Sequence, residues 1–325
     1  MSIIIPSSKS LAHRYLIAAA FSKTPCKVKV RGGWSEDLKA TKRTLKAILS
    51  GAKTADVGNS ATTLRLLEPL ARCLGWKGEF ELGEQLAKRP RIFFTLKRKY
   101  VLEAQISSQF LSGLLIAQKF GGLKANIEVK GKIPSQGYAE MTRRVLDEAD
   151  RLPRELMVEG DWSSAAAFLA LARAKHVELQ LKGLNPTSLQ PDRVIVDYLK
   201  QMPRRIEVTD TPDIYPVLRV YAEFAELPYP VRFTGTRRLR YKECDRVKAT
   251  EELIAAVKRG ETVKAYGDHR IAMAAALAAA LADRELKLDD YGCVKKSYPN
   301  FWRDWEWTLD KVKATNSSTA SYFQR

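Results

Sequence analysis

Three stretches of this chain hold residues whose types and spacing suit the handling of anions and protons. In Pro6-Ser7-Ser8-Lys9-Ser10-Leu11-Ala12-His13-Arg14, an ammonium, a hydroxyl and a guanidinium lie close together, with Arg14 one helical turn beyond Ser10 on the same face. Such a set, at a helix start, can bind an oxyanion without a metal. The same residues also fit a capped helix with a solvated Lys9 and Arg14, and taken alone they leave both readings open. In Arg240-Tyr241-Lys242-Glu243-Cys244-Asp245-Arg246, five of seven residues are charged at the start of an amphipathic helix. As plain surface this would be a salt-bridge ladder, although like charge excludes a Lys242–Arg246 pair. Gly267-Asp268-His269-Arg270 precedes a wholly apolar stretch, so Arg270 must find a partner or face a cleft. His269 fits a structural cap as well as a catalytic group. Weaker signals are Asn59, Thr62 and Arg65 on one helical turn, the neutral trio Ser107, Ser108 and Gln109, and Arg89 in a basic turn.

These residues need elements to hold them, and the elements recur. Six short polar clusters each precede an alanine- or leucine-rich stretch with helical periodicity. Counted at Ser10, Ser60, Ser108, Ser163, Asp213 and Asp268, the steps are 50, 48, 55, 50 and 55 residues, an internal repeat. Ser, Thr or Asp before an apolar-periodic run marks a helix N-terminus, where unpaired N–H groups favour an anion. The runs after Ser164 and Arg270 are apolar all round and are expected to be buried on every face. Strand-like runs at Cys26–Val30, Phe80–Leu82, Ala125–Val129, Val177–Leu181 and Val231–Phe233 lie between the helices. A second, charged set of helices is expected at Asp37–Leu49, Tyr138–Ala149, Pro191–Lys200 and Asp245–Val257. Each repeat reads as an α/β unit, and the natural division is three plus three with a crossing near Glu159-Gly160. The polar residues 316–325 lack a core pattern and are expected to form a disordered tail.

Composition narrows the function classes. Lys and Arg number 55 against 37 Asp and Glu, a formal net charge of +18, which points to nucleic acid, an anionic surface or anionic small substrates, or only to solubility. The four cysteines form no CxxC pair and the three histidines are far apart, so no metal site is expected. There is no signal-peptide pattern and no apolar run long enough for a membrane, so a cytoplasmic protein with reduced thiols is expected.

Taken in order, the clusters resemble the 5-enolpyruvylshikimate-3-phosphate synthase family from Pro6 to about Phe301. The landmarks are Pro6-Ser7-Ser8-Lys9-Ser10 with Arg14, Ser35-Glu36-Asp37, Gly58-Asn59-Ser60-Ala61-Thr62 with Arg65, Lys88-Arg89-Pro90, Ser107-Ser108-Gln109-Phe110-Leu111, Glu159-Gly160-Asp161-Trp162-Ser163-Ser164, Pro212-Asp213, Tyr241-Lys242-Glu243-Cys244-Asp245-Arg246, Asp268-His269-Arg270 and Lys296-Ser297-Tyr298-Pro299. The resemblance implies an α/β enolpyruvyl transferase fold, an inside-out α/β barrel of two similar domains. Each has three α/β repeats about a pseudo-threefold axis, with 7–159 as the first domain and 1–6 plus 160–315 as the second. It implies enolpyruvyl transfer from phosphoenolpyruvate to the 5-hydroxyl of shikimate-3-phosphate in aromatic amino-acid biosynthesis, without cofactor, nucleic acid or membrane, by a monomer. Shikimate-3-phosphate would meet Lys9, Ser10, Arg14, Ser107, Ser108, Gln109, Ser135, Tyr138, Asp213 and Lys242. Phosphoenolpyruvate would meet Lys9, Asn59, Ala61, Arg65, Arg89, Gln109, Arg246, Arg270 and Lys296. The catalytic residues would be Lys9, Asp213 as base, and Glu243, beside Lys242, for the C3 proton.

The chain departs from the family pattern in places. Ala61 stands where the family has glycine, and its methyl is expected to crowd the phosphoenolpyruvate pocket and blunt inhibition by glyphosate. Ser7 replaces a usual glycine, Arg238 stands where an asparagine is expected, and the strands and loops near 51–57 and 259–265 are abbreviated. Two alternatives are a transferase acting on UDP-N-acetylglucosamine and an RNA 3′-phosphate cyclase-like, RNA-binding protein. The first places a cysteine in the loop that here reads Ala87-Lys88-Arg89-Pro90, and the second would interleave aromatics with the basic residues. Neither feature is present.

Overall fold

The computed structural model describes residues 2–88, 94–103, 108–131 and 135–322, with side chains up to Thr315. The chain divides into two compact units, one of Ser7–Glu159 with Leu189–Pro191, the other of Met1–Pro6, Gly160–Ser188 and Asp192–Arg325.

The Ser7–Glu159 unit carries helices α1 (Lys9–Ala20), α2 (Glu36–Leu49), α3 (Ala61–Cys73), the single turn α4 (Glu84–Ala87), α5 (Ser108–Gly121) and α6 (Gln136–Glu148). Serine side chains start three of them. Ser8, Ser35 and Ser60 accept from the backbone N–H of Leu11, Leu38 and Thr63, at 3.4, 3.4 and 3.3 Å. Each satisfies a donor that the helix itself leaves unpaired. Three parallel strand pairs accompany these helices: Lys27–Lys29 with Glu155–Met157, Thr54–Gly58 with Glu79–Leu82, and Lys99–Glu103 with Asn126–Lys130. The core is aliphatic, with Ile17, Leu66, Leu67, Leu70 and Leu114 wholly buried. Burial of each stabilises the unit by about 1.5–3 kcal/mol relative to exposure. Gly113 decides how close α5 comes to α3, because a Cβ there would stand 2.2 Å from the Arg65 carbonyl oxygen. That close approach brings Gln109, one turn earlier on α5, against Arg65.

The other unit carries α7 (Trp162–Ala174), α8 (Ile195–Lys200) after a 3₁₀ turn, α9 (Tyr215–Phe224), α10 (Arg246–Arg259), α11 (His269–Leu281) and α12 (Phe301–Tyr322). Every residue of α11 from His269 to Ala279 is buried, and its alanines let α7 and α9 pack closely against it. Phe168, Tyr298, Phe301 and Trp305 close this core as one aromatic cluster, with ring centroids 5.3–5.9 Å apart. The strand pairs here are parallel as well: Ile3–Ile4 with Leu181–Lys182 and Arg205–Glu207 with Arg232–Thr234, and a separate parallel bridge pairs Val263 with Leu288. No helix among the described residues is long and apolar enough to cross a membrane.

Two expectations are corrected. The strand read at Val177–Leu181 is reduced to Leu181–Lys182. The cluster at Asp213 does not cap a helix; α9 begins at Tyr215, with Pro216 in its first turn and Ile214 ahead of it. Pro216 presets a helical start and lacks an N–H, so the helix needs no side-chain cap there. The helix α12 runs to Tyr322, with no glycine or proline from Phe301 onward to stop it.

Candidate functional site

The Gly160–Arg325 unit gathers ionisable groups around one arginine. Arg246 is the first residue of α10 and is 1 % exposed. Its Nε donates to Asp268 Oδ2 at 2.7 Å, one Nη to Asp213 Oδ1 at 2.6 Å and the other to Glu243 Oε2 at 2.9 Å. Three carboxylates thus share one guanidinium, whose fork geometry can serve all of them at once. Each carboxylate on the rim also has a lysine. Lys296 Nζ lies 2.9 Å from Glu243, and Lys242 Nζ 3.7 Å from Asp213. Glu243 therefore works with Lys296, whereas the sequence had set it with its neighbour Lys242.

Electrostatics follow from this layout. Burial alone would raise the Asp213 carboxyl, but Lys242, Arg246 and Arg270 outweigh that and hold it well below the usual carboxylate range. Burial likewise lowers Lys242, partly offset by Asp213. Arg246 is held well above its ordinary value, because Asp268, Glu243 and Asp213 outweigh the burial that would lower it. Burial, together with the neighbouring Asp268, pushes the Cys244 thiol up, and its Sγ lies 3.6 Å from that carboxylate.

Arg270 is built differently. It lies in the first turn of α11, 3 % exposed, and one Nη donates to Ser163 Oγ at 2.5 Å. Asp268 caps this helix by accepting from the Arg270 backbone N–H at 2.9 Å. His269 is buried beside it, with Nδ1 at 3.8 Å from Asp268 Oδ1.

In the Ser7–Glu159 unit, Lys9 at the start of α1 pairs with Asp37 of α2 at 2.9 Å, with side chains 16 % and 8 % exposed. Arg65 donates to Gln109 Oε1 at 2.8 Å, and Gln109 Nε2 donates to Thr62 at 3.0 Å. Asn59 Oδ1 accepts from the Leu86 N–H at 3.2 Å, tying α4 to the start of α3. Ala61 is the first residue of α3, partly buried against Val57, Leu64 and Leu86. Ser108 is buried at the start of α5, and Ser10 is partly exposed. Ser135 precedes α6 with φ 62°, and Tyr138 lies in its first turn.

Two expected ligands, Arg14 and Arg246, already have partners within the protein. The Arg14 guanidinium is 3 % exposed. Its nitrogens donate to Thr142 Oγ1, Ser112 Oγ and the carbonyls of Ser10 and Tyr138, at 2.7–3.2 Å. It joins α1, α5 and α6, and burial pulls it down to about 10. Arg246 is similarly spent on its three carboxylates. The expected residues Arg89 and Ser107 lie outside the described residues. Two partners were not foreseen, Asp37 for Lys9 and Ser163 for Arg270. A signal existed for Asp37, an acid in the first turn of a capped helix. Ser163 reads only as part of a cap. Ser7, unusual for its pattern, donates to the Val158 carbonyl and accepts from the Arg31 N–H, at 2.8 and 2.9 Å. No group of three or more His, Cys, Asp or Glu among the described residues is arranged to hold a metal ion.

A profile of the EPSP synthase (3-phosphoshikimate 1-carboxyvinyltransferase) family matches residues 147–214 and 203–305. Relatives named 3-phosphoshikimate 1-carboxyvinyltransferase align over nearly the whole chain. The protein of Brachyspira hyodysenteriae is 30% identical over 401 positions, covering 92% of this chain and 94% of the relative. Those of Clostridium perfringens and Methanopyrus kandleri are each 29% identical, covering 94% and 92% of this chain and 95% and 93% of the relatives. An alignment of 401 positions for a chain of 325 residues means that the relative carries segments absent here.

Proposed function

This chain belongs to the EPSP synthase (3-phosphoshikimate 1-carboxyvinyltransferase) family, and from that membership we propose how its residues divide the work. The activity is transfer of the enolpyruvyl group of phosphoenolpyruvate to the 5-hydroxyl of shikimate-3-phosphate, with release of phosphate. The finer architecture is two similar three-repeat domains, 7–159 and 1–6 plus 160–315. Support comes from the three parallel β pairings in each unit. The enzyme is taken to be a cytoplasmic monomer without a cofactor.

Addition requires that the 5-oxygen lose a proton while C3 of phosphoenolpyruvate gains one. The resulting tetrahedral adduct then expels phosphate as C3 gives a proton back. Asp213 takes the hydroxyl proton and Glu243 handles the C3 proton in both directions. The observation that carries this assignment is the sharing of one arginine by the two carboxylates, each with its own lysine. Its neighbours keep Asp213 ionised, and Lys296 Nζ lies 2.9 Å from Glu243 Oε1.

Lys9, Ser10, Ser108, Gln109, Ser135, Tyr138 and Lys242 bind shikimate-3-phosphate, joined by Ser107. Lys9, Asn59, Ala61, Arg65, Gln109, Arg270 and Lys296 line the phosphoenolpyruvate position, joined by Arg89. Each phosphate brings a charge of about −2, which these cations neutralise without a metal. Arg14 joins the residues that bind shikimate-3-phosphate and Arg246 those that line the phosphoenolpyruvate position, each oriented by the partners it already has within its unit. The test is product analysis after incubation with both substrates and with each one omitted. Enolpyruvyl product and phosphate should appear together, and only with both. Turnover of UDP-N-acetylglucosamine, or salt-sensitive RNA binding without turnover, would replace this reading.

A further inference from the structure

The unit that holds Asp213 contains two buried arginines, and their environments differ. Arg246 has every nitrogen on a carboxylate or a carbonyl. Arg270 touches no carboxylate closely; the nearest, Asp161 Oδ1, is 3.9 Å away. A hydroxyl stands between them. Arg270 Nη2 donates to Ser163 Oγ at 2.5 Å, and Ser163 Oγ lies 2.5 Å from Asp161 Oδ1. A serine hydroxyl has one proton. It accepts from the guanidinium, so it must spend that proton on Asp161. Meanwhile Arg270 Nε is buried and has no hydrogen-bond partner among the described residues.

Helix capping does not account for this relay. Capping of α7 needs only Asp161 Oδ1 and the Ser164 N–H, 2.8 Å apart. Ser163 adds nothing to that bond. It does fix one end of Arg270 and couples it to a charge kept one atom away. A direct Asp161–Arg270 pair would occupy two nitrogens at once. The Ser163 hydroxyl takes Nη2 alone, while Nη1 lies 3.5 Å from Ser164 Oγ and the buried Nε keeps an unspent proton for an anionic partner.

We infer that Ser163 and Asp161 are positioning residues for the reaction, acting through Arg270 to set affinity for the anionic group of phosphoenolpyruvate. The inference rests on the assignment of Arg270 to that substrate. It is tested by steady-state kinetics of Ser163→Ala, Asp161→Asn, Arg270→Lys and the double variant Ser163→Ala/Arg270→Lys. Asp161→Asn keeps a side-chain oxygen for the cap and removes only the charge. A hydrogen bond to a charged group is worth about 1.5–3 kcal/mol, or roughly 10- to 150-fold in affinity. We expect KM for phosphoenolpyruvate to rise at least 10-fold in both relay variants, with KM for shikimate-3-phosphate within about 2-fold. Ser163→Ala should cost almost nothing further once Arg270 is lysine. A purely structural serine would lower the amount of active enzyme, move both KM values alike, and add its full cost to Arg270→Lys. Unchanged KM for phosphoenolpyruvate in Ser163→Ala, or additive losses in the double variant, overturns the inference. Failure of the unaltered enzyme to turn over the two substrates would instead overturn the functional assignment.

Discussion

His13 should make the Ser7–Glu159 unit sensitive to acid in a way that one substitution can isolate. Its imidazole is 0 % exposed, with Nδ1 2.6 Å from Thr41 Oγ1. Thr41 is 2.7 Å from Thr63, which donates to Ser60, the cap of α3, at 2.8 Å. These groups tie α1, α2 and α3 together just behind Lys9, Asp37 and Thr62. Burial is the main cause of its low pKa; Asp37 opposes it, and Lys9 and Arg14 add to it, lowering His13 to about 3. In the unfolded chain the same ring titrates near 6.5. Between those values the unfolded state binds a proton that the folded state refuses. Stability is therefore fully present above pH 6.5 and is lost as pH falls towards 3, at about 1.4 kcal/mol per unit. From pH 7 to pH 4.5 the loss is on the order of 3 kcal/mol, a large share of an ordinary folding free energy. The assay is urea denaturation at several pH values for the unaltered protein and His13→Asn. Asparagine keeps a donor near the Nδ1 position and does not titrate, so carboxylate effects common to both proteins cancel in the difference. The variant starts less stable, but its curve should be flatter by that ~3 kcal/mol. Parallel curves would refute the reasoning, as would an NMR titration placing the His13 pKa near 6.

Other outcomes follow from the same structure. Ala61→Gly should lower the glyphosate inhibition constant about 10-fold, the effect of relieving one overpacked methyl worth 1–2 kcal/mol; equal inhibition would remove Ala61 from the pocket. Arg246→Met should destabilise its unit by about 3–5 kcal/mol in denaturant, because three carboxylates lose their shared partner. A loss under 1 kcal/mol would show that the lysines suffice. Cys244 should react with iodoacetamide at pH 8 at least ~10-fold more slowly than a free cysteine, since burial beside Asp268 disfavours the thiolate; peptide mapping of the alkylated enzyme reads this directly.

The helices were far more legible in the sequence than the strands, for a physical reason. Ser8, Ser60, Asp161 and Asp268 announce helix starts because a cap needs a specific side chain at a specific place. The strands have two to five residues, too few for alternation to stand out, and Lys99–Glu103 and Arg205–Glu207 are absent from the expected strands. At the site, residue types were visible but pairings were not. Glu243 meets Lys296, 53 residues away, and not its neighbour Lys242. Arg14 carried the same sequence signal as a surface anion ligand. Only the fold shows that Thr142 and Ser112, on two other helices, claim its guanidinium. Sequence spacing can place a charge near a helix start, but which group neutralises it depends on tertiary packing.

The assignment of chemistry to Asp213 is open to a decisive assay: phosphate release from phosphoenolpyruvate plus shikimate-3-phosphate, for the unaltered enzyme and Asp213→Asn, with substrate binding measured in parallel. We expect release only with both substrates and a 10²- to 10⁴-fold lower kcat in the variant, the usual contribution of a positioned base. Both substrates should still bind within about 3-fold. A variant as fast as the unaltered enzyme, or an unaltered enzyme that releases no phosphate, would contradict it.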